Sequence, residues 1–167
     1  SRNGKRVALV GAGPSSLTVA NDLLPMGYEV VIYEQHPRAG GLMRFNIPSF
    51  RLPEQVLDDE TNYIIDMGAE VHYNTKVESL KALIDDGFDA VYVGSGAPKG
   101  KELDIPGRWD DAAQRHIHIG IEWLGSVHFG HIDKTSPRVR IIGVGNTAMD
   151  CCRTSRRLGG VETTVVA

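Results

Sequence analysis

Val7-Ala8-Leu9-Val10-Gly11-Ala12-Gly13-Pro14-Ser15-Ser16 is the stretch that decides the fold. Near the other end, Val139-Arg140-Ile141-Ile142-Gly143-Val144-Gly145-Asn146-Thr147-Ala148 repeats its form. Each reads as strand, Gly-x-Gly-x-x-small residue, helix. One glycine permits the tight turn, and the second lets the backbone approach a pyrophosphate. The small third residue lets helix pack close to strand, with the helix amides aimed at the anion. Pro14 to Leu24 reads as a helix with Leu17, Ala20 and Leu24 on one side, and Gly27 stops it. Glu29-Val30-Val31-Ile32-Tyr33 returns as a strand, which completes a βαβ unit. Glu34 closes that strand 23 positions after Gly11. An acid about 20 residues beyond the glycines hydrogen-bonds an adenosine ribose hydroxyl. Two such loops imply two nucleotides, and the commonest chemistry that needs both is a flavin exchanging hydride with a nicotinamide.

The bulk properties set the class. With 167 residues, the chain has room for one domain and part of another. Hydrophobic content of 41% and charged content of 23% are ordinary for a globular protein. A formal charge of −3 gives no reason to expect nucleic acid or an anionic membrane as partner. No apolar run approaches a bilayer-spanning length, and nothing resembles a signal peptide. The only cysteines, Cys151 and Cys152, are adjacent and form no disulfide framework. A reducing, cytoplasmic setting fits.

Between the two loops the pattern continues as α/β. A Gly/Pro-rich stretch from Pro37 to Pro53 reads as a long loop. Pro53 then opens a helix with Val56, Leu57, Ile64 and Met67 on one face, ended by Gly68. Glu70 to Tyr73 reads as a strand and Ser79 to Asp85 as a helix. Asp89 to Val93 reads as a buried-type strand ending in Gly94-Ser95-Gly96. Residues 97–137 carry more Gly, His and charge, with one helix near Ile119 to Phe129. A helix over Asn146 to Leu158 and a strand over Glu162 to Val166 follow the second loop. The expected fold is a Rossmann-like α/β domain with a parallel sheet, plus the start of a second dinucleotide-binding βαβ unit. The boundaries read as 1–107 for the first domain, 108–136 for a connector and 137–167 for the second unit.

Gly40-Gly41-Leu42-Met43-Arg44-Phe45-Asn46-Ile47-Pro48, Phe50-Arg51-Leu52-Pro53 and Gly143 to Asp150 resemble the glutamate synthase small-subunit family of flavin oxidoreductases. That group includes the flavin module of dihydropyrimidine dehydrogenase. Val91 to Ala97 resembles the strand-turn that lies against FAD, which brings in Ser95 and Gly96. The resemblance implies FAD on the first unit, NADPH on the second (with NADH also open) and electrons leaving to an iron–sulfur domain or subunit. Position by position, Gly11, Gly13, Pro14 and Ser15 hold the FAD pyrophosphate and Glu34 its adenosine ribose. Gly41, Leu42 and Arg44 line the pyrophosphate and ribityl region, and the Val77 backbone meets the adenine. Gly145, Asn146, Thr147 and Ala148, behind Gly143, receive the NADPH pyrophosphate. Relative to this family the chain reads as a fragment, inactive by itself, with self-association open through exposed apolar surface.

Four positions, in three places, depart from the family pattern. Ser16 stands where a third glycine is usual, at a cost of about 1 kcal/mol unless its hydroxyl finds a partner. Asn46 replaces another glycine and is read as tolerating left-handed backbone. Gly94-Ser95-Gly96 replaces Ala-Thr-Gly, which keeps a hydroxyl but loosens the turn.

Hydride transfer needs no protein nucleophile, so no catalytic acid or base is nominated. Adjacent cysteines on a helix project about 100° apart and disfavour a redox disulfide. His116, His118, His128 and His131 lack companion ligands at a metal spacing and read as ordinary histidines. Asp150 reads either as a helix-surface residue or as positioning the nicotinamide. Arg153, Arg156 and Arg157 face either a phosphate or solvent. The rival functions are a nucleotide-binding module without turnover and a flavin monooxygenase or amine oxidase.

Overall fold

The computed structural model describes residues 2–167. In chain order its elements are β1 (Arg6–Val10), α1 (Pro14–Leu23), β2 (Glu29–Tyr33), α2 (Leu42–Phe45), α3 (Glu54–Ile65), β3 (Glu70–His72) and α4 (Leu80–Asp85). These are followed by β4 (Ala90–Val93), α5 (Asp111–Gln114), α6 (Gly120–His128), β5 (Arg138–Ile142), α7 (Asn146–Arg157) and β6 (Glu162–Val166). They form two compact units. One holds the chain up to Arg44 together with Leu52–Gly96; the other holds Phe45–Arg51 and Ala97–Ala167.

The first unit is a parallel four-stranded sheet in the order β3-β2-β1-β4. Side chains alternate across a strand, so the apolar runs of β1 and β2 feed both faces. Val7, Leu9, Val30 and Ile32 meet Leu17 and Ala20 of α1, with Ile64 and Ile65 of α3 packed against them. Ala8 and Val31 point the other way, to Phe88, with Leu83 of α4 alongside. Helices therefore cover both faces, as the alternating pattern predicts. Register then positions the site. Val10 pairs with both Tyr33 and Val93, so the next residues of the three strands emerge together at the carboxyl end of the sheet. Those residues are Gly11, Glu34 and Gly94.

The second unit pairs β5 with β6 in parallel, and α7 packs on both strands and on α6. Ile142 pairs with Val166, which brings Gly143 to the carboxyl end of its strands just as Gly11 is brought to the end of β1.

Several expectations are corrected. The stretch 37–53 is not all loop, since Leu42–Phe45 forms a single helical turn. Val56 does not share the buried face of α3: it is 47% exposed, and Leu57 and Thr61 are the buried residues. Strand β4 is not buried on both faces, because it ends the sheet order and leaves Tyr92 and Val93 exposed. Asn46 has no left-handed backbone; its side-chain amide donates instead to the Ile121 carbonyl. Helix α5 falls in the stretch read as a connector, for which the sequence pattern predicts only the helix near Ile119 to Phe129. The cap at Ser79 follows ordinary logic, its hydroxyl accepting from the Ala82 N–H at 3.2 Å.

Candidate functional site: two glycine loops at strand ends

The first loop is held from three sides, twice by backbone and once by a carboxylate. Gly11 sits at φ +92° and donates its N–H to the Tyr33 carbonyl at 2.8 Å. Ala12 donates to Glu34 Oε2 at 2.7 Å and accepts from the Gly40 N–H at 2.9 Å. Gly11 and Gly41 have no room for a side chain. A Cβ on Gly11 would lie 2.7 Å from the Gly94 oxygen, and one on Gly41 would lie 2.9 Å from Gly13 Cα. Glycine is therefore required at these positions by contact as well as by φ.

Helix α1 starts from Gly13 at φ −79°, ψ 177°, with Pro14 at its first position and no side-chain cap. Helix α7 starts from Gly145 at φ −74°, ψ 175°, again without a side-chain cap. The correspondence extends to hydrogen bonds. Gly143, at φ +114°, donates to the Val166 carbonyl at 2.7 Å, as Gly11 does to Tyr33. Met149 donates to Gly145, as Leu17 does to Gly13. Helix amides left without a side-chain cap, behind a glycine that cannot shield them, are what an anionic pyrophosphate needs.

The remaining expected residues fall in different settings. Glu34 is 4% exposed, and its Oε1 accepts from the His36 N–H at 2.8 Å while Oε2 holds Ala12. Each carboxylate oxygen keeps acceptor capacity beyond its one bond. Arg44 is buried: Nε donates to the Ala39 carbonyl at 2.5 Å, and Nη2 meets Asp58 Oδ1 at 2.7 Å. It walls a cavity of about 220 Å³ between the 37–39 loop and α3. Leu42, Ser15, Ser95 and Gly96 are exposed, and Val77 is half-buried in the irregular segment before α4. Gly145, Asn146 and Thr147 are exposed, whereas Ala148 is buried in the small third position of the second loop.

Asp150 is not a surface residue. At 3% exposure it meets Arg51 at 2.6 Å and Arg153 at 3.4 Å, and its hydrogen bond holds the Arg51 guanidinium above its ordinary value. Arg157 lies over the Phe50 ring, its guanidinium carbon 3.8 Å from the centroid. The Phe50-Arg51 pair is thus clasped to α7, an attachment that sequence spacing does not signal.

Both cysteines are free. Cys151 is buried and donates its thiol to the Gly120 carbonyl at 3.7 Å. Burial, reinforced by the neighbouring Asp150, pushes that thiol up to about 11. At pH 7 only about one in 10,000 such thiols is ionised. In a Cys152→Ser variant, iodoacetamide should alkylate Cys151 slowly at pH 7.5, with the rate climbing about tenfold per pH unit towards pH 10. Rapid modification at pH 7.5 would show a thiolate stabilised by something other than these neighbours.

Two parallel-strand units, each turning through a glycine loop into a glycine-capped helix, define an α/β fold of the Rossmann dinucleotide-binding class. Residues 9–86 match the family described as NAD(P)-binding Rossmann-like domain. FprA of Mycobacterium tuberculosis in complex with NADPH shares the fold at a TM-score of 0.74, with 22% identity over 89% of this chain and 36% of that one. The NAD-dependent dihydropyrimidine dehydrogenase subunit PreT homolog of Salmonella typhi is 35% identical over all of this chain and 40% of its own length. The glutamate synthase (NADPH) small chain of Escherichia coli K12 is 32% identical over 98% of this chain and 36% of its own. The chain is a homologue of these oxidoreductase subunits, and the resemblance read from its motifs is borne out along nearly its whole length. It spans 40% or less of the length of these curated relatives.

Proposed function

We propose that this chain is the nucleotide-binding part of an oxidoreductase in which NAD(P)H reduces FAD and electrons pass on to an iron–sulfur partner. The carrying observation is the pair of glycine-capped helices, α1 and α7, each free of a side-chain cap at the carboxyl ends of parallel strands. In this reading residues 1–107 take FAD and 137–167 take the nicotinamide nucleotide, with 108–136 as connector. Gly11, Gly13, Pro14, Ser15 and the α1 amides receive the flavin pyrophosphate, while Glu34 accepts from the adenosine ribose. Gly41, Leu42 and Arg44 wall the pyrophosphate and ribityl region, Ser95 and Gly96 lie beside the flavin, and Val77 meets the adenine through its backbone. Gly143, Gly145, Asn146, Thr147 and Ala148 receive the second pyrophosphate. The bound cofactors supply the hydride chemistry, and the residues of this chain bind and orient them. The relatives' names carry both NAD and NADPH, so the choice of nicotinamide stays open within the proposal. A reducing cytoplasmic setting belongs to the same reading.

A binding role without turnover is the second reading, favoured by the two uncapped helix starts, which are anion-binding features and not catalytic ones. Titration of FAD into the purified chain, followed by flavin fluorescence, tests the binding shared by both. Saturable binding near micromolar is expected; a chain indifferent to FAD would sink the flavin assignment.

A further inference from the structure

Helix α1 and strand β4 meet where neither has space for another atom. A Cβ built on Gly94 would lie 2.0 Å from Ser16 Oγ and 3.2 Å from both Ser15 Oγ and Tyr92 Cε1. Gly94 is absent from the positive-φ residues, so its backbone suits any amino acid and only the lack of room demands glycine. Ser16 is fully buried, and its hydroxyl has no hydrogen-bond partner among the described residues. The third small residue of a glycine loop exists to bring helix and strand close together. Here that residue carries a hydroxymethyl group, and the missing volume is found on the strand.

We propose that Ser16 and Gly94 are a size-matched pair that sets how closely the first glycine loop approaches the end of β4. The link to the loop is direct. The Gly94 N–H donates to the Val10 carbonyl at 2.9 Å, and its own oxygen is the atom a Gly11 Cβ would strike. A methyl group at position 94 meets the Ser16 hydroxyl first, and Ser16 belongs to the first turn of α1, which presents the anion-binding amides. Ser16 and Gly94 are therefore positioning residues for the nucleotide. That half of the inference rests on the function proposed above; the packing half does not.

A double-substitution cycle on the full chain tests it, with Gly94→Ala, Ser16→Gly and both together. Gly94→Ala should lower the melting temperature by roughly 3–10 °C, the scale of overpacking a tight contact in a chain of this size. It should also weaken FAD binding by about tenfold, and the double variant should recover most of both losses. If Gly94→Ala fails to fold while the double variant folds, the coupling is shown in its strongest form. A double variant that melts no higher than Gly94→Ala would overturn the pair. Recovery of melting temperature without recovery of FAD binding would overturn the positioning role. Failure of the unsubstituted chain to bind FAD would remove the nucleotide half, and the melting cycle would still decide the packing half.

Discussion

Gly11→Ala is expected to be the most damaging single methyl group in the chain. At φ +92° an alanine pays the left-handed penalty, about 1–2 kcal/mol. Its Cβ must then fit 2.7 Å from the Gly94 carbonyl oxygen, a backbone atom of a residue whose own N–H is bound to Val10. Overpacking of that kind adds about 1–3 kcal/mol. Together the two terms place the loss at about 2–5 kcal/mol, or roughly 5–20 °C of melting temperature in a protein of this size. Gly68→Ala is the matched control. Gly68 sits at φ +116°, and a Cβ added there would meet nothing within 4 Å, so it feels only the backbone penalty. Circular-dichroism melts of the two variants separate contact from conformation. Equal losses would mean that the approach to Gly94 carries no cost and that the loop yields to a methyl group.

Glu34→Ala should be nearly as severe, for a different reason. The carboxylate is 4% exposed and accepts from two backbone N–H groups, Ala12 and His36. Hydrogen bonds to a charged acceptor contribute about 1.5–3 kcal/mol each, and a buried donor left without one costs a similar amount. Urea unfolding should show a loss of about 2–5 kcal/mol, and amide exchange at Ala12 should accelerate together with it. Glu34→Gln should fall between, because its amide keeps one acceptor oxygen and turns a donor towards the other N–H. A change of less than about 0.5 kcal/mol for Glu34→Ala would leave the acid only a ligand-side role.

The glycine punctuation makes much of the fold readable. Arg6–Val10, Glu29–Tyr33 and Glu162–Val166 are short apolar or β-branched runs bounded by glycine or polar residues, and they form as read. Local sequence carries that kind of information. It does not carry strand order, so nothing in the apolar Ala90–Val93 run marks it as the end of the sheet. Asp150 illustrates the same limit, since a charged residue on a helix looks solvent-facing until Arg51, 99 residues away, is brought beside it. The crowding at Ser16 is legible from the motif, but the relief at Gly94 is not. In sequence Gly94 is one more glycine of a loose turn; the reason for it is a neighbour 78 positions back along the chain.

The amide anchors of the two loops have a kinetic consequence. Gly11 is pinned to Tyr33, Ala12 to Glu34 (22 residues apart) and Gly143 to Val166, each across a single helix and strand. Closing so short a span costs little chain entropy, so either turn can be set before distant segments arrive. Contacts from far along the chain, such as Gly94, then trim a shape that already exists. Hydrogen exchange during refolding should therefore protect Gly11 and Gly143 early, each on its own clock, as two separately assembled copies of one joint.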